Sequence, residues 1–254
     1  MLENRFPAQR RSPIIENNKI EHDKLGGNYT PFRGYDLYAG HYGYDIFAAV
    51  NDGHACITNF RHPATRLISL YNFFRFNVIL PDQELRTEQY YAVRLAKSVS
   101  FEEFVFADDP RVEVYLRNWH FRQLSYSCWS LEITKQFEDV RRFVEEMPWY
   151  YVCEYPELCV RWLRRELKWD ANLFPRENVT GDKEGQRVSL CTLDDHRYDM
   201  IRKKNDLDFT LYHYAVDRLL NHRYVSDRRS GWQAIFRSRL RHAARSLGAN
   251  KRPS

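Results

Sequence analysis

Two arginines and a serine stand at a chemically useful spacing around a short turn. Arg61 precedes Pro63, Arg66 follows it, and Ser69 comes one helical turn later. Arginine offers forked, charge-assisted donors that match the oxygens of a phosphate. The free N–H groups at a helix N-terminus favour an anion in the same place. The pattern therefore predicts a phosphate-binding turn, although arginines beside a proline-started helix are more often plain surface charges.

The segments on either side of this turn predict the elements that would position these side chains. Residues 55–60 alternate small or apolar residues with polar ones, which is typical of a short strand. Residues 64–76 carry apolar side chains at helical spacing, and Pro63 suits the first turn of a helix. We therefore expect a strand, a tight turn and a largely buried helix.

The segment from Arg61 to Tyr71, RHPATRLISLY, resembles a motif of the carbohydrate sulfotransferases, in particular the branch that includes heparan sulfate 2-O-sulfotransferase. These enzymes transfer a sulfuryl group from 3′-phosphoadenosine 5′-phosphosulfate (PAPS) to a sugar hydroxyl, and the motif binds the 3′-phosphate. The resemblance implies that Arg61 and Ser69 hold this phosphate, with Arg66 beside them. His62 stands where the family usually has Asp, and this difference bears on how Arg61 is oriented.

Three further segments, in the family's order, extend the resemblance. The segment GHYG, which begins at Gly40, resembles a Gly-His element whose histidine is the general base, and this implies a catalytic His41. An imidazole of near-neutral pKa is the usual group to take a proton from a sugar hydroxyl. The segment 118–125 implies a third anion contact at Arg122. The segment 205–215 resembles the family's closing helix.

Several of these residues also have structural interpretations. His41 lies in a tyrosine-rich stretch, where a histidine often completes a hydrogen-bonded wall. His54 is a second candidate base, but its position just before the strand favours a structural role. Trp119 or Phe121 could stack on an adenine or sugar ring, or could simply fill the core.

Alternating strands and helices predict an α/β fold, namely a three-layer sandwich with a central parallel sheet. Residues 137–147 and 158–169 have the spacing of amphipathic helices, and residues 149–153 that of a buried strand. The resemblance implies the P-loop-NTPase-like fold of the sulfotransferases, here N-terminally truncated. We expect a polar extension over residues 1–34, a sulfotransferase-like domain over 35–222 and a basic helix or tail over 223–254.

Local capping signals place two more helix starts. Ser100 and Glu103 have the spacing of a capping box, in which each side chain bonds the other residue's backbone N–H. Thr192, followed by two aspartates, predicts a helix that begins with Thr192 as its N-cap.

The family's phosphosulfate-binding loop is the part of the resemblance that the sequence lacks. In the family, an apolar strand leads into a loop of the type Pro-Lys-x-Gly-Thr-Thr, whose lysine contacts the bridging oxygen. Residues 24–30, KLGGNYT, hold a lysine, two glycines and a threonine, but in another order and without a preceding strand. Three interpretations stay open: an active sulfotransferase, an inactive relative that binds nucleotide or glycan as an interaction module, or an N-terminally truncated gene model of an active enzyme.

The charge distribution limits the partners. The formal net charge is +5, but residues 228–254 hold eight basic side chains and no acidic one, so the other 227 residues carry 31 basic and 34 acidic side chains. This balance argues against a nucleic-acid-binding body. The basic tail could bind an anionic polysaccharide or surface, or could be a solvated helix. We expect a carbohydrate or glycan as the acceptor and no nucleic acid as a partner.

The remaining composition bears on cofactors and compartment. No stretch approaches the roughly 18 apolar residues of a membrane span, and the start of the chain lacks a hydrophobic signal core. Five scattered cysteines suit a reducing compartment, and none has zinc-ligand spacing. We expect PAPS as co-substrate, no metal and a cytoplasmic protein. The resemblance implies a Golgi membrane location if the chain is a eukaryotic form whose N-terminal anchor is missing.

Overall fold

Helices form most of the structure. The computed structural model describes residues 6–12, 26–168 and 188–221. The α-helices in this part of the chain are α1 (Tyr44–Val50), α2 (Pro63–Asn72), α3 (Asp82–Leu85), α4 (Tyr91–Ser98), α5 (Phe101–Val105), α6 (Pro110–Leu116), α7 (Trp119–Ser125), α8 (Phe137–Glu146), α9 (Pro156–Leu167), α10 (Asp195–Lys204) and α11 (Asp206–Leu220). A π-helical turn, Phe73–Asn77, continues α2, and single 3₁₀ turns cover Ala8–Arg10, Thr30–Phe32, Glu88–Tyr90 and Leu190–Thr192.

The predicted three-layer sandwich with a central parallel sheet is wrong. Over the described residues the sheet has two strands, β1 (Asn59–Phe60) and β2 (Tyr151–Val152), which run parallel. Both strands are shorter than the apolar runs that predicted them. A strand extends only as far as a neighbour can pair with its backbone. The apolar segments between β1 and β2 have helical spacing and form α2 to α8, so they add no further strand to this pair.

The predicted order of strand, turn and helix is confirmed around both strands. β1 leads through a short turn into α2, and β2 leads into α9, each helix starting with a proline. The pairing is regular, since the N–H groups of Tyr151 and Cys153 donate to the carbonyls of Thr58 and Phe60, both at 2.9 Å. The turn that carries Arg61 therefore lies at the carboxyl end of a paired strand.

Two apolar clusters meet at this turn. One gathers Phe60 and β2 with α8, α9 and the second half of α11. The other gathers α2 with α4, α5 and α6, together with Ile201 and Phe209. Because Phe60 belongs to the first cluster and Ala64 to the second, the residues between them are held from both sides. The packing of Phe60 and Ala64 in these two clusters therefore fixes the backbone position of Arg61.

The local helix predictions mostly agree with the structure. Residues 137–146 form α8, α9 begins two residues before its predicted start, and α11 confirms the closing helix. The capping box is confirmed, since Ser100 Oγ accepts from the Glu103 N–H at 3.3 Å and Glu103 Oε2 accepts from the Ser100 N–H at 2.8 Å. The predicted N-cap at Thr192 is wrong. α10 starts two residues later, with the Asp194 carboxylate accepting from the Arg197 N–H at 2.7 Å.

The described part of the N-terminal extension packs against the predicted domain. Arg10 Nε donates to the Asp36 carboxylate at 2.8 Å, and the Ser12 N–H donates to the Leu37 carbonyl at 2.8 Å. Residues 223–254, the predicted basic tail, lie outside the described residues, as does residue 222. Among the helices that are described, none has the length and apolar character needed to cross a bilayer.

Candidate functional site

An open cavity of about 180 Å³ runs along one face of α2. Thr65, Ser69 and Asn72 follow one another at helical spacing and so face the same side of α2. The lining residues are Arg61, Thr65, Ile68, Ser69, Asn72 and Leu190. Arg61 and Ser69, the two side chains for which the resemblance implies a 3′-phosphate contact, thus share one cavity.

Arg61 and Ser69 bring unused polar groups to this cavity. Arg61 is partly exposed, and over the described ranges its guanidinium has no ion pair and no hydrogen bond. The same holds for the Ser69 hydroxyl. Arg61 directly follows β1, so the pairing of β1 with β2 fixes where its backbone lies. The cavity therefore offers a positive charge beside a hydroxyl, and neither group is paired within the described ranges.

The start of α2 already holds an anion that belongs to the protein. Glu154, which follows β2, accepts from the His62 N–H at 2.9 Å and from Thr65 Oγ1 at 3.2 Å through one carboxylate oxygen. Its other oxygen accepts from Tyr212 OH at 3.2 Å. Glu154 thus occupies the N-terminus of α2, where the sequence predicts an external anion. The cavity at Ser69 lies about one turn further along the helix, beyond Glu154.

The ring of His62 faces α10 and α11. Its Nε2 lies 3.2 Å from Tyr198 OH, and its ring meets the edges of Phe209 and Tyr212 at centroid distances of 5.2 and 5.3 Å. His62 stands where the resembling family has Asp. In this chain the His62 side chain therefore packs the turn against α10 and α11. The backbone N–H of His62 donates to Glu154.

The segment that carries His41 is held against the end of α7. Gln123 Nε2 donates to the Tyr42 carbonyl at 2.9 Å. Gly43 permits this close approach, because a Cβ there would lie 2.6 Å from the Tyr126 carbonyl oxygen. The backbone around His41 is therefore fixed by contacts that any side chain at position 43 would disrupt.

Trp119 connects His41 to Arg66. The His41 and Trp119 rings meet edge to face at 6.1 Å, and the Arg66 guanidinium lies 4.7 Å from the Trp119 ring centroid. Arg66 also donates to the Tyr115 carbonyl at 2.8 Å. His41 keeps an exposed edge, yet the surrounding protein, and secondly the charge of Arg66, lower the pKa of its imidazole. A neutral imidazole can accept a proton at neutral pH.

Arg122, the third predicted anion contact, is engaged inside the fold. Only 1% of this residue is exposed. Its Nε donates to the Arg117 carbonyl at 2.7 Å and its Nη1 to the Cys128 carbonyl at 3.0 Å. Further bonds reach the carbonyls of Ser130 and Val114. The structure does not bring Arg122 to the cavity with Arg61, and its donors tie α6, α7 and the following loop together.

The two remaining family-like segments cap each other. The Asn118 N–H donates to Asn205 Oδ1 at 2.8 Å, and the Asp208 N–H donates back to Asn118 Oδ1 at 3.1 Å. Asp208 then accepts from the backbone N–H groups of His120 and Phe121 at 3.3 and 2.8 Å. Asn118 has a left-handed backbone, with φ 45°, which Asn tolerates better than most residues. These motif residues join α7 to α11.

The other candidates from the sequence are structural or undescribed. His54 Nε2 lies 2.8 Å from the Tyr35 carbonyl oxygen, and its ring meets Tyr38 edge to face at 5.2 Å. Lys24 lies outside the described residues, and Gly26 and Gly27 form an exposed turn with positive φ. All five cysteines are free thiols. No group of three or more potential metal ligands occurs within the described ranges.

Two side chains at the site are missing from the sequence-based set. Asn72 lines the cavity, and Glu154 holds the start of α2. Asn72 follows Ser69 by three residues, so the helical spacing that predicts α2 also places both on one face. Glu154 has a weaker signal, namely its position after the second strand. Its contact with the turn depends on the pairing of β1 with β2.

No protein-family model matches this chain, and no curated protein or solved structure matches it either. The functional assignment therefore depends on the geometry of the cavity and on the motifs in the sequence.

Proposed function

We propose that this protein is a PAPS-dependent sulfotransferase that transfers a sulfuryl group to a carbohydrate hydroxyl. The observation that carries the proposal is the cavity shared by Arg61 and Ser69. These are the two residues to which the sulfotransferase-like motif assigns the 3′-phosphate. They come from two elements, the end of β1 and the second turn of α2, and both bring polar groups that the described part of the fold leaves unused.

The chemistry of the cavity supports an anionic ligand. The Arg61 guanidinium would donate charge-assisted hydrogen bonds to phosphate oxygens, and Ser69 would add a neutral donor. Arg66 places a second positive charge on α2, although its guanidinium also binds the Tyr115 carbonyl and covers Trp119. Partial burial lowers the pKa of Arg66 to about 10, so Arg66 stays charged at neutral pH.

His41 is the proposed general base. The acceptor hydroxyl would lose its proton to the imidazole as its oxygen forms a bond to sulfur. The bond from sulfur to the bridging phosphate oxygen breaks at the same centre, and adenosine 3′,5′-bisphosphate leaves with the negative charge. Fixed donors that stabilise this charge supply much of the rate enhancement in such reactions. The lowered pKa of His41, due first to desolvation by the surrounding protein and then to the charge of Arg66, supports this role.

Calorimetry with adenosine 3′,5′-bisphosphate tests the binding half of the proposal. We expect the double variant Arg61→Ala, Ser69→Ala to bind at least about tenfold more weakly than wild type, since charge-assisted bonds are lost. Arg86→Ala removes an exposed arginine of the loop region and serves as the matched control. Equal binding by wild type and the double variant would show that the 3′-phosphate assignment is wrong.

Transfer of labelled sulfate from PAPS to a panel of desulfated glycans tests the catalytic half. We expect His41→Ala to lower turnover by about 100-fold or more, while its affinity for the bisphosphate stays the same. Full turnover in His41→Ala removes His41 from the mechanism. A wild-type protein that binds the nucleotide and sulfates none of the glycans is instead the inactive binding module.

A further inference from the structure

Asn72, in the wall of the cavity that holds Arg61 and Ser69, has a buried hydrogen-bond acceptor that the described residues leave unused. The residue lines the cavity, and only 8% of it is exposed. Its Nδ2 donates to the Val188 carbonyl at 2.9 Å. Its Oδ1 is buried and, within the part of the chain that the structure describes, has no hydrogen-bond partner. Buried amide oxygens are nearly always paired, so an unpaired one in a cavity wall points to a missing donor.

The hydrogen bond to Val188 determines which atom of the Asn72 amide remains unpaired. A backbone carbonyl can only accept, so the amide nitrogen must face Val188 and the amide oxygen must be the free group. That oxygen is an acceptor only. A fully ionised phosphate also only accepts hydrogen bonds, and it would leave Oδ1 unsatisfied. The partner of Asn72 is therefore a donor that accompanies the anion.

The spacing along α2 places this acceptor close to the predicted phosphate site. Ser69 and Asn72 are three residues apart, which puts their Cβ atoms roughly 5–6 Å from each other on a helix surface. Ile68 and Leu190 complete the lining with apolar side chains. The cavity lining thus combines a cation, a hydroxyl and apolar side chains with a residue whose buried amide oxygen is unpaired.

A ribose 3′-phosphate offers the matching combination, because a hydroxyl donor stands on the carbon next to the phosphate. We infer that Asn72 Oδ1 accepts a hydrogen bond from the 2′-hydroxyl of the nucleotide whose 3′-phosphate is held by Arg61 and Ser69. Asn72 is then a specificity-determining residue that selects ribonucleotides over 2′-deoxyribonucleotides. This inference rests on the proposed function, since it takes the cavity to hold the 3′-phosphate of the nucleotide.

The test compares two ligands on the unaltered protein. Calorimetry with adenosine 3′,5′-bisphosphate and with 2′-deoxyadenosine 3′,5′-bisphosphate measures the contribution of a single hydroxyl. We expect the deoxy compound to bind about tenfold more weakly, the size expected for one hydrogen bond to a buried acceptor. Because this comparison needs no variant, it stands even if substitutions at Asn72 impair folding.

A variant assigns the discrimination to Asn72. Asn72→Leu removes both polar atoms at similar volume, and it should bind the two nucleotides with equal affinity. Asn77→Leu, in the π-helical turn that follows α2 and outside the cavity lining, is the matched control and should discriminate as wild type does. Circular dichroism shows whether each variant is folded.

The outcomes separate this inference from the proposed function. If wild type binds both nucleotides equally, the role of Asn72 is wrong and the 3′-phosphate site stands. If a folded Asn72→Leu still prefers the ribonucleotide, another group reads the 2′-hydroxyl and the inference is overturned. If wild type binds neither nucleotide, the proposed function fails and this inference fails with it.

Discussion

Two arginines that look alike in the sequence behave differently in the structure. Arg61 and Arg122 both lie beside apolar elements in segments that resemble a nucleotide-binding family. Arg122 is buried, and its donors reach four backbone carbonyls. Arg61 borders a cavity and has no such partner among the described residues. A ligand site needs donors that the fold leaves unused, and of these two arginines only Arg61 has such donors among the described residues.

The difference follows from the elements that precede each arginine. Helix α6 ends shortly before Arg122, and the last turn of a helix has carbonyls without intrahelical partners. The carbonyls of Val114 and Arg117 are two of those that Arg122 takes. Arg61 instead follows a strand that is paired with β2. The Phe60 carbonyl, directly before Arg61, already accepts from the Cys153 N–H.

The largest expected effect is a loss of stability at the junction of α7 and α11. Asp208→Ala should lower the free energy of unfolding by about 3–5 kcal/mol, because it leaves the buried N–H groups of His120 and Phe121 without their acceptor. Urea unfolding measures this change. Asp206→Ala, an exposed residue in the same helix, is the control and should change stability by less than about 1 kcal/mol. If Asp208→Ala lowers the free energy of unfolding by less than about 1 kcal/mol, the junction of α7 and α11 contributes little to stability.

The next effect tests Arg122 directly. Arg122→Lys should destabilise the protein by about 2–3 kcal/mol. A lysine has no planar guanidinium, so its single ammonium group cannot donate to all of the carbonyls that Arg122 binds. The affinity of the folded variant for adenosine 3′,5′-bisphosphate should stay unchanged. Arg117→Lys, at an exposed position, controls for the substitution. A stable Arg122→Lys protein with weakened nucleotide binding would mean that Arg122 serves the ligand and not the fold.

A third effect depends on pH and concerns His120 at the same junction. Burial, and secondly the charge of Arg66, lower the pKa of His120 from 6.5 to about 3. The unfolded chain therefore takes up a proton below pH 6.5 that the folded protein does not. This lowers stability by about 1.4 kcal/mol per pH unit as the pH falls toward 3.

Unfolding measured at several pH values isolates this contribution. The stability advantage of wild type over His120→Gln should shrink as the pH falls through this range. A difference between wild type and His120→Gln that stays constant with pH would mean that His120 has the same pKa in the folded protein as in the unfolded chain.

The smallest expected effect on stability belongs to the cavity. Arg61→Ala should change the free energy of unfolding by no more than about 0.5 kcal/mol, because its guanidinium holds no described part of the fold. Thermal unfolding checks this value, with Arg86→Ala as the control. A marked destabilisation by Arg61→Ala would mean that Arg61, like Arg122, serves the structure.

Much of the local structure follows from residues close together in the chain. The capping box of Ser100 and Glu103, helix α8 and the proline-started α2 each depend on signals within about one to three turns. The size of the sheet does not depend on such signals. A strand forms only where a second strand pairs with it, so the apolar runs around β1 and β2 could not reveal that these strands would be two residues long.

The sequence was sufficient to predict the order of strand, turn and helix, and to select Arg61 and Ser69 as candidate anion-binding residues. Which polar groups remain available to a ligand depends on the tertiary structure. Asn118 and Asn205 satisfy each other across 87 residues, and Glu154 fills the start of α2 across 92. Whether a donor or acceptor is used depends on such distant partners, because a hydrogen bond requires proximity in space rather than in sequence. For this reason the unpaired oxygen of Asn72 is visible only in the folded protein.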